Sequence, residues 1–140
     1  VYDGHIVSRN IIRGTRGYIE RIGNQINGTY QNGWFDASAV LIRRLIETLI
    51  IEVYEQYGMQ DSIKDQNGDY LFLGDLIDKI LNEPSWTIGR TTRKALPKLK
   101  DIGNKSAHSR RFIAQRDDID SIIGPLRDTI QELIYLAKLK

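Results

Sequence analysis

The chain has 140 residues, 41% hydrophobic and 27% charged, the balance of one globular domain with a single core. Cysteine is absent, which excludes a disulfide framework, a thiolate metal site and a cysteine nucleophile, and suits a reducing, cytoplasmic setting. The net charge of +2 is unevenly spread: from Pro84 to Arg116 nine Lys/Arg stand against Asp101 alone, while 11 basic and 17 acidic residues make up the rest, so a +8 segment sits in a chain otherwise at −6. Such a local field points to phosphate-bearing partners.

The apolar runs are short and cut by charge, as where Leu49-Ile50-Ile51 ends at Glu52. No membrane span is expected, since one needs roughly 20 apolar residues, and the start does not read as a signal peptide. The chain opens on Val1 and has one methionine, Met59, so it is read as a single domain, residues 1–140, cut from a longer polypeptide.

In chain order, the spacing predicts a first helix from Ser8, a plausible N-cap, to Asn27, with Ile11, Ile12, Ile19, Ile22 and Ile26 on one side. Gly14, Gly17 and Gly23 weaken it, and Asn27-Gly28 and Asn32-Gly33 mark breaks. A second helix, from Trp34 to Tyr57, carries Leu41, Leu45, Leu49, Val53 and Tyr57 at steps of four. Ala37, Val40, Ile42, Ile46 and Ile50 widen this stripe, so burial on two sides is expected. Residues 59–70 read as a loop with an Asn67-Gly68 turn, and a shorter helix follows over 71–81. Thr91 to Ala107 is predicted helical in its second part, with Pro97 in the first turn and Leu96, Leu99 and Ile102 toward the core. The last helix is expected to start near Asp117 or Asp118 and to be bent or delayed by Gly124-Pro125; Ile119, Ile122, Ile123, Leu126, Ile130, Leu133 and Ile134 form its stripe. With no convincing strand pattern, the expected fold is an all-α bundle of four to five helices.

The chemistry gathers at Gly103-Asn104-Lys105-Ser106-Ala107-His108-Ser109-Arg110-Arg111, which holds one of the two histidines. Asn104 and His108 are four residues apart and share a helix face. An imidazole beside an amide and guanidiniums has the parts for metal-independent RNA cleavage, in which His moves a proton at the ribose oxygens and Arg stabilises the phosphorane. His108, Asn104, Arg110 and Arg111 are therefore the candidate catalytic residues. The same residues also admit a plainer role, Asn104 as a helix cap, His108 in a helix–helix joint and the arginines solvated. Arg90, Arg93, Lys94, Lys98, Lys100, Lys105, Arg110, Arg111 and Arg116 are the candidate nucleic-acid-binding residues. Arg43 and Glu47 interrupt the most hydrophobic helix at i, i+4 and read as a structural polar pair. Trp34, Phe35 and Trp86 read as core or interface anchors. No zinc set, P-loop or paired-carboxylate pattern is present, so no metal and no cofactor is expected.

Ala39-Val40-Leu41-Ile42-Arg43-Arg44-Leu45-Ile46-Glu47, followed by Leu99 through His108, resembles the HEPN superfamily. The closer likeness is to an uncharacterised prokaryotic branch with an Arg-x-x-Glu second helix and a Gly-Asn-x-x-x-His signature. The acid-rich Asp117-Asp118-Ile119-Asp120 entry to the final helix fits that branch, and the likeness runs from Tyr18 to Leu139. It implies a four- or five-helix bundle, frequent homodimerisation and, in many members, a metal-independent ribonuclease site in the dimer cleft serving defence, toxin–antitoxin or RNA-processing systems. In the nuclease motif an arginine precedes the polar residue and histidine. Here Asn104 and His108 match those two, and Gly103 stands where the arginine belongs; Asp101 and Ile102 do not supply it, and Lys100 lies one step too far. The preferred expectation is a non-catalytic, homodimerising module that binds RNA or a partner protein, attached to a partner or fused effector domain. The alternatives are a ribonuclease using His108 with Arg110 or Arg111, and a structural helical adaptor.

Overall fold

The structure, a computed structural model, describes residues 5–140. Among them are seven α-helices: α1 (Arg9–Ile12), α2 (Gly17–Gln31), α3 (Phe35–Gln56), α4 (Leu73–Asn82), α5 (Arg90–His108), α6 (Arg116–Asp120) and α7 (Ile123–Leu136), with a 3₁₀ turn at Gln60–Ile63. The expected all-α bundle is present with more helices than four to five, because two predicted helices are each divided. No strand is formed among the described residues; a lone antiparallel bridge joins Lys64 to Tyr70 across the 59–70 loop.

The first division falls at Gly14, whose φ of +79° is comfortable only without a Cβ, and it separates α1 from α2. Contrary to expectation, α2 runs through Asn27-Gly28. Asn27 is buried and its amide exchanges two 2.9 Å hydrogen bonds with the Val7 backbone, so the side chain is satisfied without breaking the helix. The helix ends one turn later, where Gly33 takes φ +77°. The second division separates α6 from α7. A capping box between Gln115 and Asp118 starts α6, and Pro125 sits in the first turn of α7, where its missing N–H costs nothing.

Helix α5 also departs from expectation. It starts at Arg90 and runs unbroken to His108, with Pro97 in its interior. Pro97 is exposed, as is Arg93 four residues earlier, so the carbonyl left without an amide donor lies on the watered side of the helix.

Helix α3 is the axis of the bundle. Ile42, Leu45, Ile46, Leu49, Ile50 and Val53 are fully buried, and α2, α4, α5, α6 and α7 all pack against it. Most of its wide apolar stripe is therefore covered within one chain, while Val40 and Leu41 are half-buried and Ala37 and Tyr57 exposed. Leu96 and Leu99 of α5 and Leu126, Ile130, Leu133 and Ile134 of α7 complete the core, with Ile102 half-buried at its edge. Of the aromatic anchors, Trp86 packs edge-on against buried Tyr54 and gives its indole N–H to the Ile80 carbonyl; Trp34, by contrast, is exposed. At the far end of α3, nearly buried Glu52 accepts hydrogen bonds from Arg16 Nε at 3.0 Å and the Tyr18 hydroxyl at 2.6 Å. Burial, then the bond to this carboxylate, pushes the Tyr18 pKa up to about 12.

Helices α3 and α5 come close together at Gly103. A Cβ there would lie 2.5 Å from Arg43 Cβ and 3.2 Å from the Ala39 carbonyl oxygen, both rooted in the backbone of α3. Gly103→Ala should therefore lower stability by about 1–3 kcal/mol, the usual cost of overpacking, despite alanine's better helix propensity. Gly28→Ala, at a position of α2 with open space around the added Cβ, should be neutral or mildly stabilising. Urea unfolding of both variants checks the contrast; equal midpoints would remove the close-packing argument.

Candidate nucleic-acid groove

The close approach at Gly103 brings the two motifs together. With no side chain between the helices, Arg43 of α3 lies over Gly103, and its Nε donates a 2.8 Å hydrogen bond to Asn104 Oδ1. One turn further along α5 stands His108, the helix's last residue, exposed to solvent. Arg43, Glu47, Asn104, Lys105, His108 and Ser109 then form two walls of a groove of about 930 Å³, and Phe72, Leu73 and Gly74 at the start of α4 form the third.

Chemically the groove combines cations, a titratable imidazole and one acid. Arg43 and Lys105 are its fixed positive charges, and Glu47 is the carboxylate among its lining residues. The expected Arg43–Glu47 pair is not made: the ion pairs among the described residues are Arg16–Glu52 and Lys64–Asp61, and Arg43 turns to Asn104 instead. That bond holds the guanidinium by its Nε and is an amide contact, which does not itself neutralise the positive charge. Lys100 reaches the same rim, packed beside Gly74. Asn104 thus acts as a side-chain acceptor across the helix joint, not as a cap.

The other candidate residues fall elsewhere. Arg110 and Arg111 are exposed on the segment leaving α5 and do not line the groove. That segment makes a local turn, Phe112 N–H to Ser109 Oγ, and is tied to α3 by Ala114 N–H to Asp36 Oδ1 at 2.7 Å. Arg90, Lys94 and Lys98 share a face of α5 and line a shallow depression beside Pro125. Arg93 donates to the Leu81 carbonyl, and Arg116 stacks over the rings of Tyr30 and Phe35 at about 5 Å. The nine cations of the basic segment therefore divide among several surroundings, and only Lys105, with Lys100 at the rim, joins His108.

Sequence reasoning misses Arg43 as a partner of Asn104 and misses the α4 wall altogether. Gly103 carries the signal for the first, because a glycine inside a helix next to a polar motif marks a close backbone approach. Phe72 carries a weaker one, an aromatic at a helix start that belongs to no apolar stripe. Among the described residues, no group of three or more His, Cys, Asp or Glu side chains is placed to hold a metal ion, and no helix is long and apolar enough to cross a membrane.

Fold and groove together define an all-helical domain with a cationic cleft built on a polar helix–helix joint. Residues 24–140 match the family described as a domain of unknown function (DUF4145), and the chain belongs to that family. The matched span contains α3, α4 and α5 and so the whole groove. No curated protein and no solved structure matches the chain.

Proposed function

We propose that this domain is a HEPN-like RNA-binding module whose α3–α4–α5 groove receives the phosphodiester backbone. The observation that supports this reading most is the Arg43–Asn104 bond, which places a guanidinium in one groove with Lys105 and His108. A guanidinium presents paired N–H donors to phosphate oxygens, and Lys105 adds a mobile charge. Lys100 extends the positive field along the rim. In this reading the outer cations, Arg90, Lys94, Lys98, Arg110 and Arg111, guide encounter. The HEPN likeness adds a symmetric homodimer and a cytoplasmic role in prokaryotic defence or RNA processing, with an effector partner or fused domain. The dimer draws little support from α3, most of whose stripe its own chain covers; sedimentation velocity at high concentration should show a pair, and a monomer throughout would remove it.

A second reading, metal-independent RNA cleavage, is favoured by one observation: Arg43 of the facing helix lines the groove with Asn104 and His108, where it would stand in for the arginine missing at position 103. The ribose 2′-oxygen would attack phosphorus and the bond to the 5′-oxygen would break, giving a cyclic phosphate, with His108 taking the 2′-hydroxyl proton and returning one to the leaving 5′-oxygen and Arg43 facing the phosphorane oxygens. Arg110 and Arg111, outside the groove, have no part in it.

Single-stranded RNA should bind with a log–log salt slope of about −2, the release expected for roughly three phosphate contacts. Arg43→Ala with Lys105→Ala should abolish most of this binding, whereas Arg110→Ala with Arg111→Ala should chiefly slow association. Fluorescence anisotropy over a salt series measures both, and binding that survives the groove pair but not the outer pair would refute the assignment. Incubation of the same RNA with EDTA decides the second reading: cleavage should persist and vanish in His108→Ala, and intact RNA would leave binding as the whole function.

A further inference from the structure

One groove residue has no role in holding a phosphate. Phe72 is 79% exposed, the highest value among the exposed large hydrophobic side chains. It is the N-cap residue just before α4, and its carbonyl accepts the Leu76 amide at 3.0 Å. Leu73 and Leu76 beside it are buried, so the backbone that carries the ring is anchored in the core. The ring nevertheless stands in solvent, on the wall of the groove that also holds Arg43, Lys105 and His108. Next to it Gly74 leaves room for Lys100, whose Cδ would be 3.7 Å from a Cβ at that position.

A scattered exposed apolar residue is ordinary. An aromatic side chain carried on anchored backbone into a groove with cations is a different object, because the pair matches the two chemically distinct parts of a nucleotide. Phosphate oxygens take the cations, and a base with no partner takes the ring. A duplex cannot use such a face, since its bases are already stacked and paired.

We propose that Phe72 is a base-stacking platform, so that the groove selects a single-stranded RNA segment with one unpaired base on the ring and the neighbouring phosphate toward Arg43 and Lys105. The inference rests on the RNA-binding reading of the groove and adds to it the requirement for an unpaired base. Stacking is tolerant of base identity, because every base has a π face. The platform therefore selects strandedness and not sequence.

The test measures binding of the whole chain to three probes of equal length at one salt concentration: an oligouridylate, the same strand annealed in a duplex, and an abasic ribose–phosphate oligomer. The wild-type chain should prefer the single strand to both others. Phe72→Ala should weaken the single strand roughly 5- to 150-fold, the range for removing one base–aromatic stack, and leave the abasic oligomer unchanged. Phe72→Tyr should restore binding and Phe72→Leu should not, because leucine replaces apolar area without a π face. The side chain is exposed, and near-ultraviolet circular dichroism of each variant verifies that folding is kept.

Equal loss on the based and abasic strands, full rescue by Phe72→Leu, or no effect of Phe72→Ala would each overturn the platform. So would a wild-type dimer that Phe72→Ala dissociates with no change in RNA affinity, since the ring would then be covered by a second copy. Abasic binding without any preference for the based strand overturns the platform alone. Failure of all three probes to bind the wild-type chain overturns the RNA reading beneath it as well.

Discussion

Two helices meet without a side chain between them. At Gly103 the backbone of α5 comes so near α3 that a methyl group would collide with Arg43 Cβ and crowd the Ala39 carbonyl. That contact sets where Arg43 emerges, brings its Nε within 2.8 Å of Asn104, and leaves the guanidinium at the mouth of the cleft that ends at His108. A larger residue at position 103 would move α5 outward and separate the arginine from the asparagine. Packing and polar contact are thus set by one missing Cβ, which lets Arg43 reach Asn104 across the joint.

The surroundings support this arrangement. Helix α3 is held by five other helices, so Arg43 and Glu47 project from the central element of the bundle. The C-terminal end of α5, which carries His108, is followed by a segment pinned to Asp36 of α3, so α3 fastens both sides of the joint. Rigid placement matters for a polar site, because side chains already ordered by the fold lose less entropy when a ligand is bound.

The long helices are legible from periodicity because an apolar stripe repeats locally: α3 lies within one residue of its expected ends, and Gly58 closes it with φ +67°. Breaks are harder to read. Gly14 and Asn27-Gly28 present similar punctuation, and only the tertiary bonds between Asn27 and Val7 decide that the helix stops at the first and passes through the second. Pro97 misleads in the same way, since its cost depends on which side of α5 faces water. At the site, the Asn104–His108 spacing is visible as a single helical turn. The Arg43–Asn104 bond spans 61 residues of sequence and has no local period, so the intrahelical pair of Arg43 with Glu47 is the natural expectation and the structure replaces it. Net charge likewise identifies the basic segment but cannot say that α5 distributes its lysines and arginines around several faces.

The central claim is that RNA meets this domain at the α3–α4–α5 groove and not merely along its basic surface. His108 reports on the groove directly, and His5, the chain's other histidine, lies outside the groove lining as an internal reference. Two-dimensional NMR of the imidazole resonances during titration with a short single-stranded RNA distinguishes the two cases. The account predicts a progressive, saturable shift of the His108 signals with those of His5 unmoved. RNA binding detected by anisotropy in the same samples, with the His108 signals unchanged, would contradict it.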